Sequence, residues 1–387
     1  MTIIYPIKRF KELFFRQNKK PVIFAVVALV IGIYSGIYAQ STGSYWQYDM
    51  GYGSIIEHKN GLSHLNTAHP TLYRLSYITP SDTTSRWKRR FNYPDQGFSV
   101  MVQDFHNSTL GQTIGINYHT LFYLFNRNKQ HQLMLDLGLG FAYATKTFNF
   151  ETNYKNNVIG SPVTIAPQLS LLYRLPIRSH WAINSGFSFT HYSCASFKQP
   201  NNGINAVFIR LGASYRPRPE HILYPPSKKP PLPGNRTPHM GIVAKLGMHE
   251  SYPGLGTKIV YEISPYISKQ IQPLGHLNLG IDLINSQADK TYANYLYTAM
   301  IEEPNRTLND HKRLGLYVGY EHFFNKISCE ADLGYYLYKT MDHYMDTYQT
   351  LKIKYHLKQS DLRIGLGLRI HMFKANYSTI DIQYQWL

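Results

Sequence analysis

The sequence predicts an all-β protein: a transmembrane antiparallel β-barrel of about eight strands in the N-terminal half, followed by a second β-barrel-like half of about eight more. Three observations carry that expectation. Charged residues make up 16 % of the 387, well below the ~25 % of soluble globular chains, while an apolar content of 43 % is too high for a disordered one. Aromatic residues reach 14 %, with 33 Tyr against 19 Phe and 4 Trp, as expected of girdles around a polar lumen. Period-2 alternation, which sends successive side chains to opposite faces, recurs from residue 45 to the C-terminus. Two cysteines exclude a disulfide-dense scaffold, and their spacing offers no zinc motif.

The elements follow in chain order. Lys8, Arg9, Lys11, Arg16, Lys19 and Lys20 form a basic start, Val22 to Ile33 is apolar, and small and aromatic residues lead to Ala39-Gln40. This reads as a signal peptide over 1–39, with Ile37 an unusual residue three before the cut. The other reading is a retained anchor, because the apolar run stretches toward ~18 residues. Nothing later is apolar enough for a membrane helix. The leader takes six basic residues and Glu12 with it, so about five of the formal +17 leave and the mature chain stays near +12. In an exported protein that surplus points to the phosphates of an outer leaflet rather than to nucleic acid, for which no motif is present.

The first unit, 40–216, holds strand patterns near 45–57, 70–79, 97–106, 113–126, 131–149, 163–174, 180–193 and 204–216. Each is about as long as a tilted membrane strand requires, ~9–11 residues or somewhat more. Short links, Asn126 to Lys129 and Pro176 to Ser179, alternate with longer ones at 150–162 and 194–203, as periplasmic turns and outside loops do. The link 80–96 breaks this rule, being long on the periplasmic side. Residues 217–238, with seven Pro between Pro217 and Pro233, cannot be sheet interior and read as a linker. The second unit, 239–387, resumes near 239–248, 256–269, 275–285, 310–323, 327–341, 347–357, 361–373 and 375–387. Eight strands on each side of a joint suggest a duplication. Two barrels in tandem or one barrel of up to about sixteen strands satisfy the count. Tandem barrels are favoured, because Tyr215-Arg216 reads as the end of a closing strand.

The chemistry concentrates in 181–215. Trp181, Ile183, Phe187, Phe189, His191 and Ser193 share one face with Ser185, and Asn205, Val207, Ile209, Leu211, Ala213 and Tyr215 share the matching face of the return strand. This apolar face meets lipid. His191, Ser193 and Asn205 therefore converge on the outside of the barrel near the outer leaflet, where polar groups are costly unless they have a function or lie among headgroups. A His two residues from a Ser can be a base–nucleophile pair for attack on an ester, and an Asn amide oxygen can fix the imidazole tautomer. Read blandly, the same residues are ordinary rim residues.

Thr190-His191-Tyr192-Ser193, Phe197-Lys198-Gln199-Pro200-Asn201 and Gly203-Ile204-Asn205 resemble the signature of the outer-membrane lipid A 3-O-deacylases, the PagL type often labelled acyloxyacyl hydrolase. Asn92-Tyr93-Pro94-Asp95-Gln96-Gly97-Phe98 and Gly138-Leu139-Gly140-Phe141-Ala142-Tyr143 resemble longer members of the same family. The resemblance spans roughly residues 45–216. It implies an eight-stranded barrel in the outer membrane of a Gram-negative bacterium, with a His–Ser–acid triad on its outer surface that removes the 3-O-linked acyl chain of lipid A without a cofactor. Carried over, His191 is the base, Ser193 the nucleophile and Asn205 the third member. Two departures stand out. Asn205 replaces a Glu, so the imidazolium loses a charged partner. Cys194 stands where the family has Asn directly after the nucleophile, leaving backbone N–H groups, Asn201 or Asn202 to bind an oxyanion.

No equivalent site appears in the second half. Leu362, Ile364, Leu366, Leu368, Ile370 and Met372 form the apolar stripe, so His371 points into the lumen, and Phe373 stands where a Ser would be needed. Asp104-Phe105-His106 and His131 lack metal-ligand spacing, and no metal is expected. Cys194 and Cys329 are expected as free thiols. The sequence thus reads as a multi-pass outer-membrane serine esterase whose partners are lipid A of lipopolysaccharide and membrane lipids; the rival is a non-enzymatic barrel, porin-like or structural. For the second half a structural repeat, a homodimer surface and a channel stay open.

Overall fold

The computed structural model describes residues 43–218, 223–226, 237–301, 311–341, 345–357, 360–372 and 374–386; the leader expected over 1–39 and most of the 217–238 joint lie outside them. The alternating segments close into two barrels of eight strands each. In the first, β1 (Tyr45–Ile56), β2 (Thr71–Thr79), β3 (Asp95–Asp104), β4 (Gln112–Tyr123) and β5 (Gln132–Ala144) run in chain order around the wall. A short β6 (Val163–Ile165) hangs on the end of β5, and β7 (Gln168–Pro176), β8 (Trp181–Tyr192) and β9 (Ile204–Tyr215) complete the ring, β9 pairing with β1. The second barrel is β10 (His239–His249), β11 (Lys258–Gln272), β12 (Gly275–Ser286), β13 (Lys312–Phe324), β14 (Ile327–Tyr338), β15 (Thr347–His356), β16 (Leu362–His371) and β17 (Lys374–Trp386), with β17 returning to β10. Two tandem barrels, not one larger one, are the outcome. Among the described residues no helix is long and apolar enough to cross a membrane; crossing is by strands.

Two details differ from the sequence reading. The strand expected over 163–174 is two strands, β6 and β7, parted at Ala166-Pro167. Pro167 has no N–H to give to a ladder, and its carbonyl accepts instead from His191 N at 3.1 Å. The strand expected to reach 149 stops at Ala144, where the chain turns toward Ile159 and Pro162.

The cores of the barrels are their lumens. An eight-stranded interior is just wide enough for side chains to fill, and here polar and charged ones fill it. In the first, Arg210 meets Asp49 at 2.5 Å, Arg74 meets Asp136 at 2.6 Å, and His119 shares that carboxylate at 3.0 Å. In the second, Arg369 bridges Glu262 and Asp282 while Lys352 holds Glu330 and Asp332. His371 lies in this lumen, its Nε2 3.0 Å from Tyr336 OH. The outer faces carry the apolar side chains: Tyr48, Met50, Phe187, Ile209 and Leu211 on one barrel and Ile380, Ile382, Tyr384 and Trp386 on the other are all exposed.

Both ends of the molecule join the barrels. At the end opposite the long loops, the 80–96 link folds into α1 (Arg86–Arg90), and Trp87 and Phe91 pack on Phe324 and His322 of β13, with ring centroids 5.5–6.2 Å apart. This link is long because it docks on the second barrel. At the long-loop end, residues 194–199 meet residues 249–257 and Ala375.

Candidate active site

The β8–β9 register sets the site. His191 and Asn205 are direct cross-strand partners, which brings side chains on one face within ~5 Å. Their neighbours in sequence, Thr190 and Tyr192, point inward, and both hydroxyls donate to Gln103 Oε1 at 3.1 Å. His191 and Asn205 thus project outward, with the exposed Phe187 and Ile209 below them. The ring's Nδ1 lies 2.5 Å from Asn205 Oδ1. With the amide oxygen accepting, the proton sits on Nδ1 and Nε2 is left bare, the tautomer a general base needs.

Gly203 makes room for that ring. A Cβ there would lie 2.7 Å from His191 Cε1, and its φ of +70° favours glycine independently. In the sequence Gly203 is only the neighbour of Ile204 and Asn205; what it does becomes visible only with the ring against it.

Ser193 leaves the end of β8 and is held by β6. Ile165 N donates to Ser193 O at 2.8 Å, and Ser193 N donates back to Ile165 O at 3.4 Å. The short strand that the sequence reading merged into its neighbour therefore carries the serine backbone. Ser193 is 6 % exposed, and among the described residues no hydrogen bond joins its Oγ to His191. The structure brings His191 and Asn205 into contact and sets Ser193 two residues along the same chain; catalytic hydrogen bonds often close only around substrate.

The following loop is organised by amides. Cys194 N donates to Asn201 Oδ1 at 2.9 Å, so this N–H is committed. Asn202 Nδ2 is committed too, to Asn157 O at 2.9 Å. Asn201 Nδ2 is buried and meets no acceptor among the described residues. Burial pushes the Cys194 thiol up, which keeps it protonated and its sulfur a donor to Lys198 O at 3.0 Å rather than a rival nucleophile. On the other flank His58 Nε2 lies 3.1 Å from Asn202 O. Burial, and next the Lys374 ammonium of the second barrel, hold the Lys59 ammonium below its ordinary range. The other sequence candidates are bound elsewhere: His106 Nε2 is 3.0 Å from Thr71 Oγ1, and His131 Nδ1 is 2.5 Å from Tyr173 OH.

Fold and site together define a membrane β-barrel with a histidine–asparagine pair and a serine at the outer rim of its wall. Residues 71–214 match the family described as Lipid A 3-O-deacylase (PagL), and residues 239–386 match Acyloxyacyl hydrolase, C-terminal domain. The first barrel is thus similar to the lipid A 3-O-deacylase family, and the second to the C-terminal domain of acyloxyacyl hydrolases. Solved structures that resemble it include Neisserial surface protein A, at 11 % identity and TM-score 0.32 over 45 % of this chain and 97 % of that one. The outer membrane enzyme PagL is 14 % identical with TM-score 0.30, over 43 % and 97 %. A mutant porin of Rh. blastica is 8 % identical with TM-score 0.18, over 89 % and 99 %. No curated protein matches the chain.

Proposed function

We propose that this chain is a serine esterase of the Gram-negative outer membrane that removes the 3-O-linked hydroxyacyl chain from lipid A. The observation that carries the reading is the outward His191–Asn205 contact at the rim beside Ser193, where the ester of a glycolipid lies among its own acyl chains. His191 Nε2 takes the Ser193 proton as Oγ attacks the ester carbonyl. The tetrahedral intermediate places negative charge on the carbonyl oxygen, and Asn201 Nδ2, a buried amide donor without an acceptor among the described residues, supplies a hydrogen bond to it. Collapse breaks the carbon–oxygen bond to the sugar, and Nε2–H returns the proton to the leaving alkoxide. Water, activated by the same ring, then releases the hydroxy fatty acid and free Ser193. Asn205 accepts from Nδ1–H throughout; being neutral, it orients the ring without offsetting its charge. Lys59 and Lys374 give the rim a basic character that suits the phosphates of the glycolipid. The 3-O position rests on the match of residues 71–214 to the lipid A 3-O-deacylase family.

Purified wild type and Ser193→Ala are incubated with lipopolysaccharide, and the lipid A mass is followed. Loss of one hydroxyacyl unit with wild type, and none with the variant, is the expected result; intact lipid A with active-site residues unmodified and the barrel folded defeats the reading.

A further inference from the structure

We infer that the second barrel completes the active site: Glu250, just past the end of β10, is a positioning residue that holds the β8–β9 loop in the shape that aims Ser193. The inference rests on the esterase reading above and assigns a role to residues that lie outside the catalytic group.

The loop needs holding. Ala195 and Ser196, immediately behind Ser193 and Cys194, sit at φ of +49° and +61°. Side chains other than Gly resist this left-handed region by ~1–2 kcal/mol per residue, and two such residues in succession persist only where their surroundings fix them. Within the first barrel the loop has the Cys194–Asn201 bond and a turn from Phe197 N to Cys194 O at 3.0 Å. Residues 198–202 are also held by Cys194 Sγ, Asn157 and His58 of the first barrel, and the turn at Ser196 and Phe197 takes further contacts from the second barrel. Glu250 N donates to Ser196 O at 3.1 Å, and Ser196 Oγ donates to Ala375 O at 2.7 Å. Thr257 Oγ1 donates to Phe197 O at 2.8 Å.

Glu250 is the centre of this clamp. Its side chain is buried, at 3 % exposure. One carboxylate oxygen accepts from Gln199 N of the catalytic loop at 2.6 Å, and the other accepts from Gly256 N of its own loop at 2.9 Å. No ion pair engages it among the described residues, so its buried charge is met by backbone N–H donors alone. Hydrogen bonds to a charged acceptor are about twice as strong as neutral ones, and an unmet buried carboxylate would be costly. The arrangement therefore fixes two loops, one from each barrel, to a single group. Ser196 and Gln199 bracket the turn that follows the nucleophile, so a shift there is transmitted directly to Ser193 through the backbone.

The test uses the full chain in detergent with lipopolysaccharide as substrate. Glu250→Ala is expected to lower kcat by roughly tenfold to a hundredfold, the scale of a misplacement near 1 Å, with KM within about twofold of wild type. Glu250→Gln keeps one acceptor oxygen and is expected to recover most of that loss. Hydrogen exchange at the Gln199 amide is expected to quicken about tenfold or more in Glu250→Ala, a readout independent of turnover. Trp87→Ala, which loosens the barrel contact at the opposite end, is expected to leave kcat unchanged. Folded barrels in each variant are verified by heat-modifiable migration on gels. Wild-type kcat in Glu250→Ala, or a lowered kcat with Gln199 exchange unaltered, overturns the clamp. If wild type deacylates and Ser193→Ala does not, either of those results removes the clamp alone; if wild type leaves lipid A intact, the esterase reading falls first and the clamp loses its catalytic meaning with it.

Discussion

Asn205 provides the one hydrogen bond that the His191 ring makes among the described residues. Without it the ring is free to rotate and to carry its proton on Nε2, which ends its use as a base. Asn205→Ala is therefore expected to lower kcat by roughly a hundredfold with the barrel still folded, measured as the rate of hydroxyacyl release. In the proposed mechanism Asn201 meets charge that exists only in the transition state, so Asn201→Ala is expected to cost about 10²–10³ in kcat with little change in KM. Asn202→Ala serves as the comparison, because its amide is already committed to Asn157 O and its loss is expected to be the milder. The outward direction of His191 and Asn205 was legible in the sequence because a strand alternates strictly, and the same-face residues that lead to them, Phe187 and Phe189 on one strand and Val207, Ile209 and Leu211 on the other, are apolar. The place of Gly203 was not legible, and for the oxyanion the sequence left a choice among Asn201, Asn202 and backbone N–H groups. The first is a close approach of a ring to a backbone, and the second turns on an amide left over after its oxygen is used; neither leaves a periodic trace.

At the scale of elements, the strands were legible for the same reason that they form: lumen and lipid select opposite side chains at successive positions. Their ends and interruptions were less so. Pro167 marked the division of β6 from β7, yet the alternation runs on across it. The five-residue α1 is too short to announce itself by periodicity and exists through specific contacts. Asp82 Oδ1 accepts from Thr84 N at 3.0 Å and Ser85 N at 3.1 Å, and Oδ2 accepts from Lys88 Nζ at 2.6 Å. Burial alone would raise the Asp82 carboxyl, but Lys88, the Thr84 hydroxyl and the Ser85 N–H together hold it well below the usual carboxylate range. A carboxylate depressed in the folded state contributes stability above its unfolded pKa and loses it as pH falls through and below that value, roughly pH 4. Acidification from pH 7 toward pH 3 is thus expected to loosen α1 from Phe324, seen as faster hydrogen exchange over 85–91. Asp82→Asn is expected to show that faster exchange already at pH 7 and to respond less to acid.

For the whole molecule the question is whether either barrel conducts. The second lumen answers through its charges. Lys245 and Arg369 both reach Glu262 and Asp282, and Lys352 and Lys354 both reach Glu330. These side chains are about 1 % exposed, apart from Lys354 at 5 %, so they touch one another and leave little space for an ion to pass. Tyr348 and Tyr377, both fully buried, add to this packing, donating to Asp282 at 2.7 Å and to Glu262 at 2.8 Å. Wild type in planar bilayers is accordingly expected to give no unitary conductance steps, in contrast to a water-filled porin. Arg369→Ala separates packing from conduction. It leaves Glu262 and Asp282 with Lys245 as their one ion-pair cation among the described residues, and breaking a buried pair by removing one partner costs roughly 3–5 kcal/mol. The expected outcome is a lower midpoint in heat-modified gel migration with bilayers still silent, because Tyr348 and Tyr377 continue to fill the lumen. Steady conductance steps from wild type would contradict this account of the second barrel as a filled scaffold and return the channel reading to it, while the proposed lipid A cleavage would be untouched, since His191 and Asn205 lie on the outer wall of the first barrel.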